Sequence, residues 1–135
     1  MPATLHNIPG RPAPEAFYSH AAVATGTRVV HVSGQPGTDA GGEVVPGGLA
    51  AQTEQALRNV AAALEAAGAR AEDVVKSTFY VVNWEPSMLE ELGRGGMAAR
   101  ADIPFPDAAL SLIGVASLFT PEMLIEIDAV AVLQT

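Results

Sequence analysis

A chain of 135 residues is long enough for one domain with a real core, and 49% apolar residues, including four Phe, two Tyr and one Trp, argue against disorder. A net charge of −8 with only seven scattered basic residues argues against phosphate-tracking surfaces, so neither nucleic acid nor an anionic membrane is an expected partner. The lack of Cys excludes disulfides, zinc–thiolate sites and thiol nucleophiles.

The proline-bearing segment Met1–Ala16 reads as an extended arm with at most a short edge strand, and it lacks the long apolar core of a secretory signal. No stretch approaches the roughly 20 apolar residues of a membrane helix, so a soluble, cytoplasmic protein is expected. Phe17–Ala24 and Arg28–Gln35 read as two strands, paired as a hairpin across Thr25-Gly26. The Gly- and Pro-rich stretch from Pro36 to Gly48 is a loop. Leu49, Thr53, Leu57, Val60, Leu64 and Ala67 recur at helical spacing, with Gly68 placed for a left-handed C-cap. Val74–Val82, β-branched and aromatic, is a strand near the sheet centre. Pro86 opens a second helix striped by Met88, Leu89 and Leu92, which Gly93, Gly95 and Gly96 weaken. Ala109–Leu118 and Leu124–Leu133 are the last two strands, separated by a turn at Thr120-Pro121.

The order β-β-α-β-α-β-β, without repeats or an internal linker, predicts one α+β domain over residues 1–135. Its mixed sheet carries both helices on one face. The other face is then left uncovered and calls for a second subunit.

Candidate chemistry concentrates in few places. On the last strand Ile125, Ile127, Ala129, Ala131 and Leu133 form one apolar face, which puts Glu126 and Asp128 together on the other. A strand carboxylate pair suits a general acid or base that positions water, and equally suits a solvated or subunit-pairing polar patch. Tyr18-Ser19-His20 offers hydrogen-bond donors and a group that exchanges protons near neutral pH, or simply a polar strand start. Ser33-Gly34-Gln35 ends a strand at a turn where a ligand could approach the backbone. His31, between Val30 and Val32, fits a structural role better than a catalytic one. No phosphate or dinucleotide loop, metal-ligand spacing or nucleophile elbow is present, so neither metal nor cofactor is expected.

Tyr18-Ser19-His20-Ala21, Val32-Ser33-Gly34-Gln35, Ala51-Gln52-Thr53, Ala66-Ala67-Gly68 with Asp73-Val74-Val75-Lys76, and Ile125-Glu126-Ile127-Asp128-Ala129-Val130-Ala131-Val132 together resemble the YjgF/RidA (Rid) family over almost the whole chain. The resemblance implies a chorismate-mutase-like fold and a homotrimer with small-metabolite pockets in clefts between subunits. It also implies hydrolysis of 2-imino or enamine acids to 2-oxo acids and ammonia without metal or cofactor. It carries the cleft tyrosine to Tyr18, the turn glycine to Gly34 and the water-placing glutamate to Glu126, with His20, Ser33 and Gln35 as neighbours. The family's carboxylate-gripping arginine maps to Leu110 when anchored on Leu112-Ile113-Gly114-Val115-Ala116, and to Ser111 when counted back from Glu126. The family's asparagine on the second helix has no clear match, Glu91 falling near it. Neither Leu110 nor Ser111 brings a cation; Arg11, Arg28 or Arg100 could reach in from a neighbour.

Two functions are therefore open. One is an enzyme acting on a small imine, enamine or enol-type metabolite by hydrolysis, deamination or tautomerisation, with Leu110 as an apolar wall in place of the usual clamp. The other is a non-catalytic, metabolite-binding or scaffolding trimer. An endoribonuclease, the family's oldest label, is the third and fits an acidic chain least.

Overall fold

Alternating side chains and helical stripes produce eight elements in the computed structural model, which describes residues 3–12, 14 and 17–134. They are β1 (Thr4–His6), β2 (Ala21–Val23), β3 (Arg28–Pro36), α1 (Gly48–Ala66), β4 (Val74–Val82), α2 (Leu89–Arg100), β5 (Ala109–Val115) and β6 (Ile125–Leu133). Single 3-10 turns at Ala71–Asp73 and Pro86–Met88 lead into β4 and α2.

The main sheet has the order β3-β6-β4-β5. β6 runs antiparallel to both β3 and β4, whereas β4 and β5 are parallel. Parallel neighbours need a crossover of a dozen or more residues, and α2 supplies it between β4 and β5. α1 makes the longer crossover from β3 to β4, leaving room between them for the last strand. Every second residue of β6, from Ile125 to Leu133, is buried against the helices. The alternate residues Glu126, Asp128, Val130 and Val132 lie on the face without helices and are only partly buried.

α1 buries Leu49, Gln52, Thr53, Ala56, Leu57, Val60 and Leu64, and lies over β3 and β6. It ends as the glycine implies. Gly68, at φ +81°, donates its N–H to Glu65 O, while Ala69 N–H donates to Leu64 O at 2.8 Å, which satisfies two of the last carbonyls. Arg58 links the two helices, reaching Glu54 at 2.9 Å and Asp102, just past α2, at 3.0 Å. Hydrogen bonds to the guanidinium hold the Asp102 carboxyl below its ordinary range. No helix among the described residues is long and apolar enough to cross a membrane.

Two expectations are corrected. The predicted hairpin does not form: β2 shrinks to three residues and pairs with β1 in a separate ribbon, while β3 pairs with β6. The cause is Ser19, whose N–H donates to Ala108 O at 3.2 Å and pins the chain to the β5 edge, the opposite side of the sheet from β3. The short arm strand therefore precedes the predicted order as an additional element. The second correction concerns the glycines of α2, which do not interrupt it. Gly95 is buried where a Cβ would fall on the backbone carbonyl of Ala50 and 2.7 Å from Thr53 Cβ. Its missing side chain lets the two helices touch.

Gly95→Ala tests this packing. Alanine would normally stabilise a helix interior by about 1 kcal/mol, but here it strikes backbone that cannot swing aside. The expected net result is a loss of about 1–3 kcal/mol in urea denaturation. An increase in stability would refute the close helix contact.

Candidate functional site

α2 packs chiefly on α1 and stands off from β4 and β5. The gap beneath it is a cavity of about 590 Å3. Phe79 of β4 and Leu110 and Leu112 of β5 line the sheet side, and Leu92, Gly93 and Gly96 line the α2 side. Three polar side chains join this apolar wall: Tyr18, Ser77 and Arg100.

Arg100 is held on two sides. Its Nη2 donates to Asp107 Oδ1 at 2.7 Å, and the guanidinium carbon sits 5.7 Å from the centre of the Phe17 ring. Phe17 adopts φ 75°, a left-handed backbone that costs a side-chain-bearing residue about 1–2 kcal/mol. That conformation, followed by the Ser19–Ala108 hydrogen bond, places Phe17 and Tyr18 beside the β5 edge.

The sequence-identified residues divide between the two faces of the sheet. Leu110 lines the helix-side cavity with Tyr18. Ser111, next on β5, faces the opposite way, where its Oγ accepts a 2.6 Å hydrogen bond from Lys76 Nζ. Glu126 and Asp128 share that open face, as their spacing requires. Asp128 is occupied, accepting from Thr78 N–H at 3.1 Å and from the Tyr80 hydroxyl at 3.3 Å. Glu126 lies over Gly34: a Cβ there would fall on Glu126 Oε2, with Glu126 Cγ 2.7 Å away. Among the described residues no hydrogen-bond partner engages the Glu126 carboxylate. Ser33 is exposed beside Gly34, and its carbonyl accepts from Gln35 Nε2 at 3.2 Å.

His20 serves the arm. Its Nδ1 accepts the Ile8 N–H at 2.9 Å, and its own N–H donates to Asn7 Oδ1 at 3.0 Å. An accepting Nδ1 puts the proton of a neutral ring on Nε2. The Tyr18 and His20 rings meet edge to face, 6.4 Å apart. Within one chain, then, Gly34 with Glu126 and Tyr18 with Leu110 are two separate groups on opposite faces of the sheet.

Two cations escaped a reading by motif. Lys76 lies in a family-like segment without a chemistry legible in the sequence; in the fold its side chain reaches two residues along β5 to Ser111. The sequence offers Arg100 only as a visitor from a neighbour, yet it lines its own chain's cavity. The loop from Ala101 to Ala108 brings it back past Asp107, and no local sequence signal announces that return. The cavity that Leu110 leaves uncharged is thus not without a positive group.

The open sheet face and the cavity beside its edge strand define a class. The chain belongs to the YjgF/RidA family, described as endoribonuclease L-PSP, whose pattern matches residues 9–133. A 2-iminobutanoate/2-iminopropanoate deaminase of Dermatophagoides farinae is 32% identical over 136 residues, covering 98% of each chain. The deaminase of the same name from Rattus norvegicus is 42% identical over 67 residues, and the match spans only 49% of either protein. Among solved structures, YyfB of Yersinia pestis, a protein of unknown function of the conserved Rid family, superposes with a TM-score of 0.83 at 38% identity. That likeness covers 98% of this chain and 100% of YyfB.

Gly34→Ala probes the approach of Glu126 to Gly34 on the open face. The obstructing atoms belong to a flexible side chain, so the fold should tolerate the change within about 1 kcal/mol. The Glu126 carboxylate should turn away, seen as a shift of its side-chain 13C resonance in NMR spectra. An unmoved resonance would contradict the contact.

Proposed function

We propose that this chain is a deaminase-type hydrolase of a small imine or enamine, working in clefts that a neighbouring copy completes in a homotrimer. The observation that carries the reading is the Glu126 carboxylate, unengaged, held over a glycine and presented on a face that no helix covers. Partly exposed apolar residues on that face, among them Val29 and Ile113, favour burial against another copy. A partner in that position could bring Glu126 and Gly34 toward the cavity that Tyr18 lines.

The chemistry is compact. Glu126 takes a proton from water as the oxygen bonds to the imine carbon, and the electron pair of the C=N bond moves to nitrogen. Proton transfer to that nitrogen makes it a leaving group. Collapse of the carbinolamine then expels ammonia and leaves the carbonyl product, so one imine and one water give one ketone and one ammonia. Full-length likeness to a named imine deaminase supports this reaction class. Neither Leu110 nor Ser111, the two β5 positions to which the usual clamp aligns, carries a cation, which favours a substrate other than the usual small 2-imino acid.

A non-catalytic trimer that binds a metabolite and regulates is the second reading. It is favoured by the placement of Glu126 and the cavity on opposite faces of one chain.

An imine-hydrolysis assay separates them. Glu126→Gln should lower kcat by about 100-fold or more, the usual scale for a lost acid–base group, while substrate binding is retained. Ligand binding with no turnover in the wild-type protein would instead establish the regulatory reading. Assembly is tested by analytical ultracentrifugation: the wild type should sediment as a trimer. Val130→Lys, which puts a charge on the open face, should sediment as a monomer. A monomeric wild type would remove the shared cleft.

A further inference from the structure

We infer that Arg100 is the anchor for a carboxylate and that the cavity beneath α2 selects molecules with one carboxylate and a bulky apolar body. The inference deepens the proposed function, since it rests on that cavity being the substrate end of the cleft.

The cavity's shape and polarity carry the first half. About 590 Å3 falls within the range of ordinary small-molecule sites, far more than a three-carbon imine fills. Phe79, Leu92, Leu110 and Leu112 supply walls that reward apolar surface and nothing polar of comparable size. Leu110 is productive on this account: at the place where a longer charged side chain would occupy the cavity, it leaves volume.

The state of Arg100 carries the second half. Asp107 engages one terminal nitrogen, and Phe17 faces the guanidinium. Among the described residues nothing accepts from Nε or Nη1. A guanidinium offers five N–H groups in a planar fork, which suits a carboxylate held by two parallel bonds. Asp107 and Phe17 thus fix the plane and leave an edge for a ligand. The left-handed backbone at Phe17 is a cost without return if the ring merely fills space, but it puts the ring where it orients the cation. Tyr18 and Ser77 add hydroxyls on the same cavity wall, and neither is hydrogen-bonded among the described residues.

The test uses the full chain and a stable probe, 3-phenylpropionate, against its neutral counterpart 3-phenylpropionamide and against acetate, by isothermal titration calorimetry. The acid should bind at least about tenfold more tightly than the amide, and acetate more weakly than both. Arg100→Met should erase the preference for the acid while amide binding survives. Arg100→Lys should keep part of the preference. Leu110→Trp, which fills the cavity, should weaken acid and amide alike. Equal binding of acid and amide by the wild type would overturn the inference, as would acetate binding as tightly as the phenyl acid.

If Arg100→Met does not fold, Asp107→Asn gives the same answer from the other side. It keeps the guanidinium and removes the charge of its internal partner, so the acid preference should persist or grow; its disappearance would overturn the assignment. Turnover is read separately. Acid selectivity without imine hydrolysis would uphold Arg100 and remove the proposed reaction, whereas hydrolysis without acid selectivity would remove Arg100 and leave the reaction.

Discussion

Contact between α1 and α2 at Gly95 decides where α2 can lie. A helix has one axis to place, and bringing it backbone-close to another helix fixes its height above the sheet. Here that contact draws α2 onto α1, so side chains of β4 and β5 such as Phe79 and Leu112 pack on the core but stay only partly buried. Close packing in one place thus creates open volume in the next. The small residues facing the gap, Gly93 and Gly96, add to it, since a Cβ at either would only just touch Phe17 at 3.9 Å.

Strand periodicity gives the sheet its two chemistries. One face carries the apolar residues of β6 and, beyond them, the cavity. The other carries Glu126, Asp128, Lys76 and Ser111, a set of ionic and hydroxyl groups set among valines. Within a single chain the sheet itself separates the two sets. The membership of this chain in the YjgF/RidA family and its shared architecture with YyfB are consistent with that division.

Much of the fold could be read from the sequence because it rests on local periodicity. The α1 stripe, its glycine cap and the alternation along β6 all lie within short windows, and Glu126 beside Asp128 follows directly from a period of two. Features set by long-range contact could not be read that way. β2 looked like half of a hairpin because nothing in residues 17–24 reveals that Ser19 bonds to Ala108. The α2 glycines read as weakening that helix because the contact that suits Gly95, with Ala50, is distant in the chain. Leu110 and Ser111 were interchangeable in an alignment, whereas strand register places them on opposite faces. Arg100 entered the cavity through tertiary structure alone.

The position of β6 has a bearing on biosynthesis. The strand at Ile125–Leu133 sits between β3 and β4 and supplies hydrogen bonds to both, yet it is translated after every other element. Until it leaves the ribosome, β3 and the β4–β5 pair are separate edges with unpaired backbone groups, and α1 has only part of its apolar floor. The nascent chain therefore cannot close its sheet before β6 emerges. An acidic, sparsely aromatic composition helps keep the waiting chain dispersed.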